Sequence, residues 1–165
     1  MKTQRILKHL LTTHGQVTRA FPRSALNAIE QAIRSSETAH AGEIRFVVEG
    51  ALDGMPLFKG QSPRERAIEL FAQLRVWDTE HNSGLLIYLL LADRAVEIVA
   101  DRGIHAKVGP EEWSAVCRQM EADFKKLNFE DGVLKGVQTV TQHLVNHFPA
   151  VRCDEDELSN TPLVL

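Results

Sequence analysis

Three short polar segments of the sequence carry the side chains best suited to chemistry. Glu43 precedes an alternating apolar run, Asp78 to Gly84 precede a longer apolar run, and Asp101 to His105 follow a third. Carboxylates and loop carbonyls that converge from such segments could hold a hard cation such as Ca²⁺ or Mg²⁺. The alternative is that they are solvated strand ends in which Arg102 pairs with an acid, because surface ion pairs are common and contribute little.

Whether these segments meet depends on the strands beside them. Glu43 to Glu49 alternates apolar and polar residues and is rich in β-branched and aromatic types, which predicts a first strand. Leu85 to Leu91 is apolar on both alternating faces, which is typical of a central strand covered on both sides. Ala95 to Ala100 alternates again after Asp93-Arg94, so it is predicted to pair with the central strand as a hairpin.

Helices are predicted between and around these strands. The chain gives helix-start signals at Pro22, at Ser62 with its capping box, at Gly109-Pro110 and at Asn128. Gly50 to Gly60 is predicted to be a loop because it holds three glycines and a proline. The order of elements predicts an α/β fold, a three-layer α/β/α sandwich whose small mixed sheet has two parallel strands and one hairpin strand.

This topology places the polar segments at one end of the sheet. The crossover through the Ser62 helix should lay the first two strands parallel, so their amino ends share one edge. The hairpin then returns the end of the third strand to that same edge. We therefore expect Glu43, Asp78 to Gly84 and Asp101 to His105 to form a polar cleft there.

The ends of the chain are predicted to lie outside this domain. Residues 1–21 are expected to form an amphipathic helix and a linker, residues 22–149 the domain, and residues 150–165 an acidic, disordered tail. The longest apolar run, Leu85 to Ala92, has eight residues, far fewer than the roughly 18 to 20 needed to span a bilayer. Cys117 and Cys153 show no paired spacing, which favours a reducing, cytoplasmic location.

Composition and local motifs exclude several functions. A net charge of −3 gives no basic footprint for nucleic acid, and no glycine-rich phosphate loop is present, so no nucleotide cofactor is expected. Cys117 is expected to be a packed thiol, and His143 and His147 are expected to flank a helix core. Asp154-Glu155-Asp156 is expected to be solvated acid, and Asp78-x-Glu80-x-Asn82 lacks the glycine position and terminal glutamate of an EF-hand.

The polar segments and their strands also resemble a known family. Ala41 to Val48, Trp77 to Ile87, Ala92 to Ile98 and Asp101 to Ile104 look like successive blocks of the TPM domain, and the resemblance spans residues 22–148. It implies a Rossmann-like three-layer sandwich. Because many bacterial members are encoded beside a LemA-type protein, it also implies a LemA-type or membrane-associated protein as a partner.

The resemblance further implies what the polar cleft binds. Acidic positions near this sheet edge are associated in the family with calcium binding or with a proposed acid phosphatase site. Carried onto this chain, they give four candidate ligands for Ca²⁺ or Mg²⁺, namely Glu43, Asp78, Asn82 and Asp101. The candidate catalytic residues of a phosphatase are Asp78, Asp101, Arg102 and His105.

Two functions follow, of different classes. The first is a non-catalytic binding or assembly module that uses the polar sheet edge, with or without a divalent ion. The alternative is a metal-assisted phosphatase acting on phosphomonoesters, with Arg102 or His105 at the phosphoryl group. In this sequence Asn82 stands where the family often has Asp, and His105 stands where a Glu is common, which favours the binding module.

Overall fold

The structure is a computed structural model that describes residues 2–150 and 157–165. In those residues the chain forms eight helices and four strands in the following order. They are α1 (Lys2–Leu11), α2 (His14–Ala20), α3 (Arg23–Glu37), β1 (Glu43–Glu49), α4 (Gly54–Lys59), α5 (Pro63–Gln73), β2 (Gly84–Leu90), β3 (Ala95–Ala100), α6 (Arg102–His105), α7 (Pro110–Lys125), α8 (Phe129–His147) and β4 (Leu163–Val164).

The four strands form one mixed sheet in the order β3-β2-β1-β4. β1 pairs with β2 in parallel, starting from Glu43 opposite Gly84, and β2 pairs with β3 antiparallel. These pairings confirm the predicted parallel pair and the hairpin. All seven residues of β2 are buried, as its continuous apolar sequence predicts for a strand covered on both faces.

Helices cover the sheet on both sides and form a three-layer sandwich. Alternate strand residues such as Phe46 and Ile87 face the larger core, which α3, α7 and α8 complete. The intervening residues, such as Val47 and Tyr88, face a smaller core under α5 and the short helix α4. The predicted three-layer α/β architecture is thus confirmed, and no helix in the described part of the chain is long and apolar enough to cross a membrane.

The structure corrects three local expectations. Gly50 to Gly60 is not wholly a loop, because Gly54–Lys59 forms α4, which buries Leu57 and ends at Gly60 with φ of 79°. Residues 12–21 are not a simple linker, because α2 buries Val17 and is followed by the buried Phe21. Helix formation in both places lets apolar side chains reach a core.

The third correction concerns the C-terminal segment. The expected disorder over residues 150–165 is wrong for Leu163–Val164, which form β4 beside Val47 and Val48 of β1. On the side away from β2, the main-chain N–H and C=O groups of β1 need partners, and an apolar segment can form hydrogen bonds with them. Asp154, like Cys153, lies outside the described residues.

Candidate functional site

The three predicted polar segments come together where β1 and β2 begin. We call this end of the sheet, formed by the amino ends of the two parallel strands, the amino edge. The main-chain N–H of Glu43 donates to the carbonyl of Ser83 at 3.0 Å, and the N–H of Asp101 donates to the carbonyl of Gly84 at 2.9 Å. The sheet thus places Glu43, the loop before β2 and Asp101 side by side.

Two glycines allow the loops at this edge to pack closely. A Cβ on Gly84 would overlap the carbonyl of Val76, and a Cβ on Gly103 would lie 2.5 Å from the carbonyl oxygen of Asn82. The N–H of Gly103 donates to that same carbonyl at 3.1 Å. Close main-chain contact therefore fixes the loop of Asn82 against the turn after Asp101.

Asp101 is a buried carboxylate at the start of α6. Its Oδ1 accepts a hydrogen bond of 2.7 Å from the N–H of Arg102, which caps this one-turn helix. Its Oδ2 is buried and has no hydrogen-bond partner among residues 2–150 and 157–165. One oxygen of Asp101 is thus used for local structure, and the other is an unused acceptor.

Glu43 is also buried, and the C-terminal segment covers it. Its Oε2 accepts a hydrogen bond of 3.2 Å from the N–H of Leu158. Next to it, Arg45 donates to the carbonyl oxygens of Ser159 and Thr161, the latter at 2.7 Å. The amino edge is therefore occupied by main-chain groups of residues 158–161.

A further contact holds the same segment at its start. The N–H of Glu80 donates to the carboxylate of Glu157 at 2.9 Å, and Asn160 is buried. Sequence reasoning missed Arg45, Glu157 and Asn160 because it treated this segment as disordered. The apolar Leu163-Val164-Leu165 was the available signal that the segment pairs with a strand.

The other predicted site residues are exposed or lie apart. Asp78 is exposed and pairs with Arg75 at 2.6 Å. Arg102 lies at this edge and donates from Nε to Oδ1 of Asn82 at 2.9 Å, so it bonds an amide and not an acid.

His105 lines a different cleft, of about 450 Å³, which includes Arg64, Glu97 and Cys117. Burial, followed by the charges of Glu97 and Glu121, raises the pKa of the Cys117 thiol to about 12. A thiol of that kind is not a nucleophile at neutral pH.

The four candidate metal ligands do not form a ready-made cation site. Glu43 and Asp101 each accept a main-chain N–H, Asp78 pairs with Arg75, and Asn82 holds a guanidinium. In the ranges that the structure covers, no three His, Cys, Asp or Glu side chains are grouped so that they could hold an ion. A guanidinium 2.9 Å from a candidate ligand oxygen would also repel a cation.

Comparisons with known proteins agree with this architecture. A family model for the TPM domain matches residues 17–143. The chain is similar to the BA42 protein of the psychrophilic bacterium Bizionia argentinensis, with 30% identity over 86% of this chain and 92% of that one and a TM-score of 0.73. It shares its fold with the N-terminal domain of a protein from P. gingivalis, at 23% identity over 76% of this chain and 79% of that one and a TM-score of 0.59. A search of curated proteins finds no match.

Proposed function

Since the chain belongs to the TPM domain family, we propose that it is a non-catalytic binding or assembly module whose amino sheet edge recognises an extended peptide segment. The observation that carries this proposal is the set of hydrogen bonds between this edge and the main chain of residues 158–161. Glu43 accepts a main-chain N–H from them, and Arg45 donates to two of their carbonyl oxygens. Both charged side chains thus bind groups that every peptide has.

Strand pairing supports the same proposal. Leu163 and Val164 add to β1 in parallel, and the N–H of Gly50 donates to the carbonyl of Leu165 at 3.1 Å. Addition of an extended segment to an open sheet edge is a common mode of peptide recognition, in which main-chain hydrogen bonds supply much of the affinity. The edge of β1 therefore has the geometry to bind a partner's strand in place of its own C-terminal segment.

The arrangement of the candidate catalytic residues favours binding over hydrolysis. Phosphoryl transfer needs positive charge and a proton donor or a metal at one point. Here Arg102 bonds Asn82, Asp78 bonds Arg75, and His105 lines the cleft that also holds Cys117. These side chains therefore do not converge on one point where a phosphoryl group could bind.

The binding proposal does not require a divalent ion. The unused Oδ2 of Asp101 is an acceptor of the type that Ca²⁺ or Mg²⁺ uses, but the other candidate ligands already have protein donors or cations beside them. A titration with each ion, followed through the amide signals of Glu43, Asn82 and Asp101, tests this point. Saturable shifts of all three signals would show that an ion binds here.

The peptide proposal can be tested by supplying the C-terminal segment in trans. A shortened chain ending at residue 156 would be titrated with a synthetic peptide of residues 157–165, after its amide spectrum has shown that it keeps its fold. We expect saturable binding with shifts along β1. Arg45→Gln should weaken binding at least about tenfold, since it removes two charge-assisted hydrogen bonds, whereas Arg34→Gln, in an exposed pair on α3, should not.

Two results would count against this function. If the folded, shortened chain does not bind the peptide, the edge of β1 is not a recognition site. If the full chain turns over p-nitrophenyl phosphate, and Asp101→Asn or a chelator abolishes that turnover, the phosphatase alternative is correct.

A further inference from the structure

The N-terminal helix α1 packs on the domain through Arg5, Ile6 and His9 and turns its leucines outward. Inside, Arg5 and His9 both contact Asp93, at 2.9 and 3.0 Å. Outside, Leu7, Leu10 and Leu11 are between 56% and 65% exposed. A surface helix of a globular protein normally has the opposite orientation, with its apolar stripe on the core.

The neighbouring helix α4 also exposes large apolar side chains. α4 lies beside α1 and anchors itself through the buried Leu57, while Met55 and Phe58 are each 63% exposed. Large apolar side chains from two adjacent helices therefore lie on the outside of the molecule. Exposed apolar side chains grouped in this way mark a surface that binds something else.

Charge identifies the kind of partner. Residues 1–29 contain five Lys or Arg and no Asp or Glu. Lys8 lies on α1 among the exposed leucines, and Lys59 ends α4. Arg5 is paired with Asp93, and Asp53 is exposed at the start of α4, so the basic charge beside the exposed apolar residues comes from Lys8 and Lys59. That charge complements an anionic, apolar-backed partner and disfavours a second copy of the same basic helix.

We propose that α1 and α4 form a docking surface for anionic lipid membranes. Leu7, Leu10, Leu11 and Phe58 would enter the boundary between headgroups and acyl chains, and Lys8 and Lys59 would contact lipid phosphates. A basic helix with leucines on one face is the type that lies in the membrane interface without crossing it. This inference concerns α1 and α4, which lie at the carboxyl end of β1, away from the contacts of Glu43 and Arg45 with residues 158–161. The C-terminal segment reaches this end only at Leu165, which accepts from the N–H of Gly50, and the test below uses the full chain with that segment in place.

The shape of the surface favours a membrane over a partner helix. A cleft of about 730 Å³ lies beside α1, lined by Lys8, Leu11, Arg19 and Leu127 among others. Leu7 and Leu10 lie outside the lining of this cleft and are 56% and 65% exposed, so they project into solvent beside it. A helical partner would need a groove, whereas a bilayer receives projecting side chains.

Vesicle sedimentation tests the proposal with the full chain. The probes are vesicles of phosphatidylcholine alone and vesicles of three parts phosphatidylcholine to one part phosphatidylglycerol. We expect binding to the anionic vesicles that is at least about tenfold stronger than binding to the neutral ones, because each nearby Lys or Arg contributes about fivefold. Lys8→Gln should reduce the binding to anionic vesicles by about that fivefold factor.

Variants test whether the exposed leucines of α1, and not nonspecific adsorption of exposed apolar side chains, account for the binding. The double variant Leu7→Gln/Leu10→Gln should bind anionic vesicles at least about tenfold more weakly. Ile68→Gln, which changes a half-exposed apolar residue on α5, should bind as the wild type does. The amide spectrum establishes that each variant is folded, and Leu11→Gln/Phe58→Gln serves as a second double variant.

Other outcomes would overturn the proposal. Failure to sediment with anionic vesicles would do so, as would equal binding by the wild type and both folded double variants. Dimerisation that Leu7→Gln/Leu10→Gln abolishes would assign the surface to a second copy. An acidic amphipathic peptide that binds the cleft of Leu11 and Leu127, while vesicles do not bind, would assign it to a protein partner.

Discussion

His9 of α1 and Asp93 of the β2–β3 turn are 84 residues apart in sequence, and His9 Nε2 lies 3.0 Å from Asp93 Oδ1. The imidazole is fully buried, and its Nδ1 accepts a hydrogen bond of 2.9 Å from the N–H of Leu52. Nε2 must therefore carry the proton that is donated to Asp93. One ring joins α1, the segment after β1 and the hairpin turn.

Removing this ring should weaken the folded state. We expect His9→Ala to lower the free energy of unfolding by about 2 kcal/mol, because it leaves the N–H of Leu52 and one oxygen of Asp93 without their partner. Urea unfolding followed by circular dichroism measures the effect. Arg34→Gln, which breaks an exposed pair with Glu30, should change it by less than about 0.5 kcal/mol, and equal effects of the two variants would refute the structural role of His9.

The same contact predicts a dependence on acid. Burial raises the pKa of Asp93, but the hydrogen bonds from Arg5 and His9, together with the charge of Arg5, lower it by more, so the net pKa lies below the ordinary 3.8. A carboxylate with a lowered pKa stabilises the fold above its unfolded pKa and loses that contribution as pH falls through the folded pKa. The wild type should thus exceed Asp93→Asn in free energy of unfolding by the largest amount near neutral pH, and this difference should shrink below about pH 4. Urea unfolding across that range checks it, and a difference that does not change with pH would contradict it.

Tyr88 should not ionise in the folded protein. Its hydroxyl donates to Glu49 Oε2 at 2.7 Å, and Arg66 holds the same carboxylate at 2.9 and 3.0 Å. Burial first, and then Glu49, raise the pKa of Tyr88 far above its ordinary value of 10. A group whose pKa is raised in the folded state stabilises the fold below its unfolded pKa, and that stability is lost as pH rises towards its folded pKa. Tyrosinate should therefore form only as the protein unfolds in alkali.

Because the chain has one tyrosine, its absorbance change in alkali reports Tyr88 alone. Glu49→Gln should shift the titration to lower pH, since it removes the negative charge beside the hydroxyl. Tyr88→Phe should give no tyrosinate signal. Reversible titration near pH 10 in a folded wild type would show that the hydroxyl is not held as described.

The sheet and its polar edge could be predicted because their signals are local. The β-branched and aromatic residues of Glu43 to Glu49 and the continuous apolar run of β2 each indicate a strand, although β1 is buried on both faces as β2 is. Their parallel pairing then requires Glu43 and Gly84 to share an edge. The position of Asp101 at the same edge could be predicted because the short turn of the hairpin sets the register of β3 against β2.

The termini and the orientation of α1 could not be predicted because they depend on distant partners. The sequence predicts an amphipathic helix but not which face packs inward, and α1 faces inward with Arg5, Ile6 and His9 because Asp93 supplies an acceptor for the two polar side chains. β4 has two residues and becomes a strand only beside the open edge of β1. His105 was expected at the polar edge, but the turn of helix α6 after Asp101 carries the chain to the cleft of Cys117.

Cys117 should resist alkylation. With a pKa raised to about 12, chiefly by burial, its thiolate is scarce near pH 8, whereas a free cysteine has a pKa near 8.5. In a Cys153→Ser background, we expect iodoacetamide to modify Cys117 at least about 100-fold more slowly than it modifies free cysteine. Mass spectrometry follows the reaction, denaturant should restore ordinary reactivity, and rapid labelling of the folded protein would contradict the prediction.

Gly103→Ala should disturb the amino edge without changing any polar group. The new Cβ would lie 2.5 Å from the carbonyl oxygen of Asn82 and 2.9 Å from that of His81, and both are main-chain atoms that cannot rotate away. We expect a loss of about 1 to 3 kcal/mol in urea unfolding, with amide shifts at Asn82 and Asp101. Gly15→Ala is the matched control, because its nearest neighbour, Thr13 Oγ1, is 3.8 Å away, and alanine in α2 should stabilise by about 0.5 to 1 kcal/mol. If Gly103→Ala is as stable as the wild type, the two loops do not pack as closely as their hydrogen bond of 3.1 Å indicates.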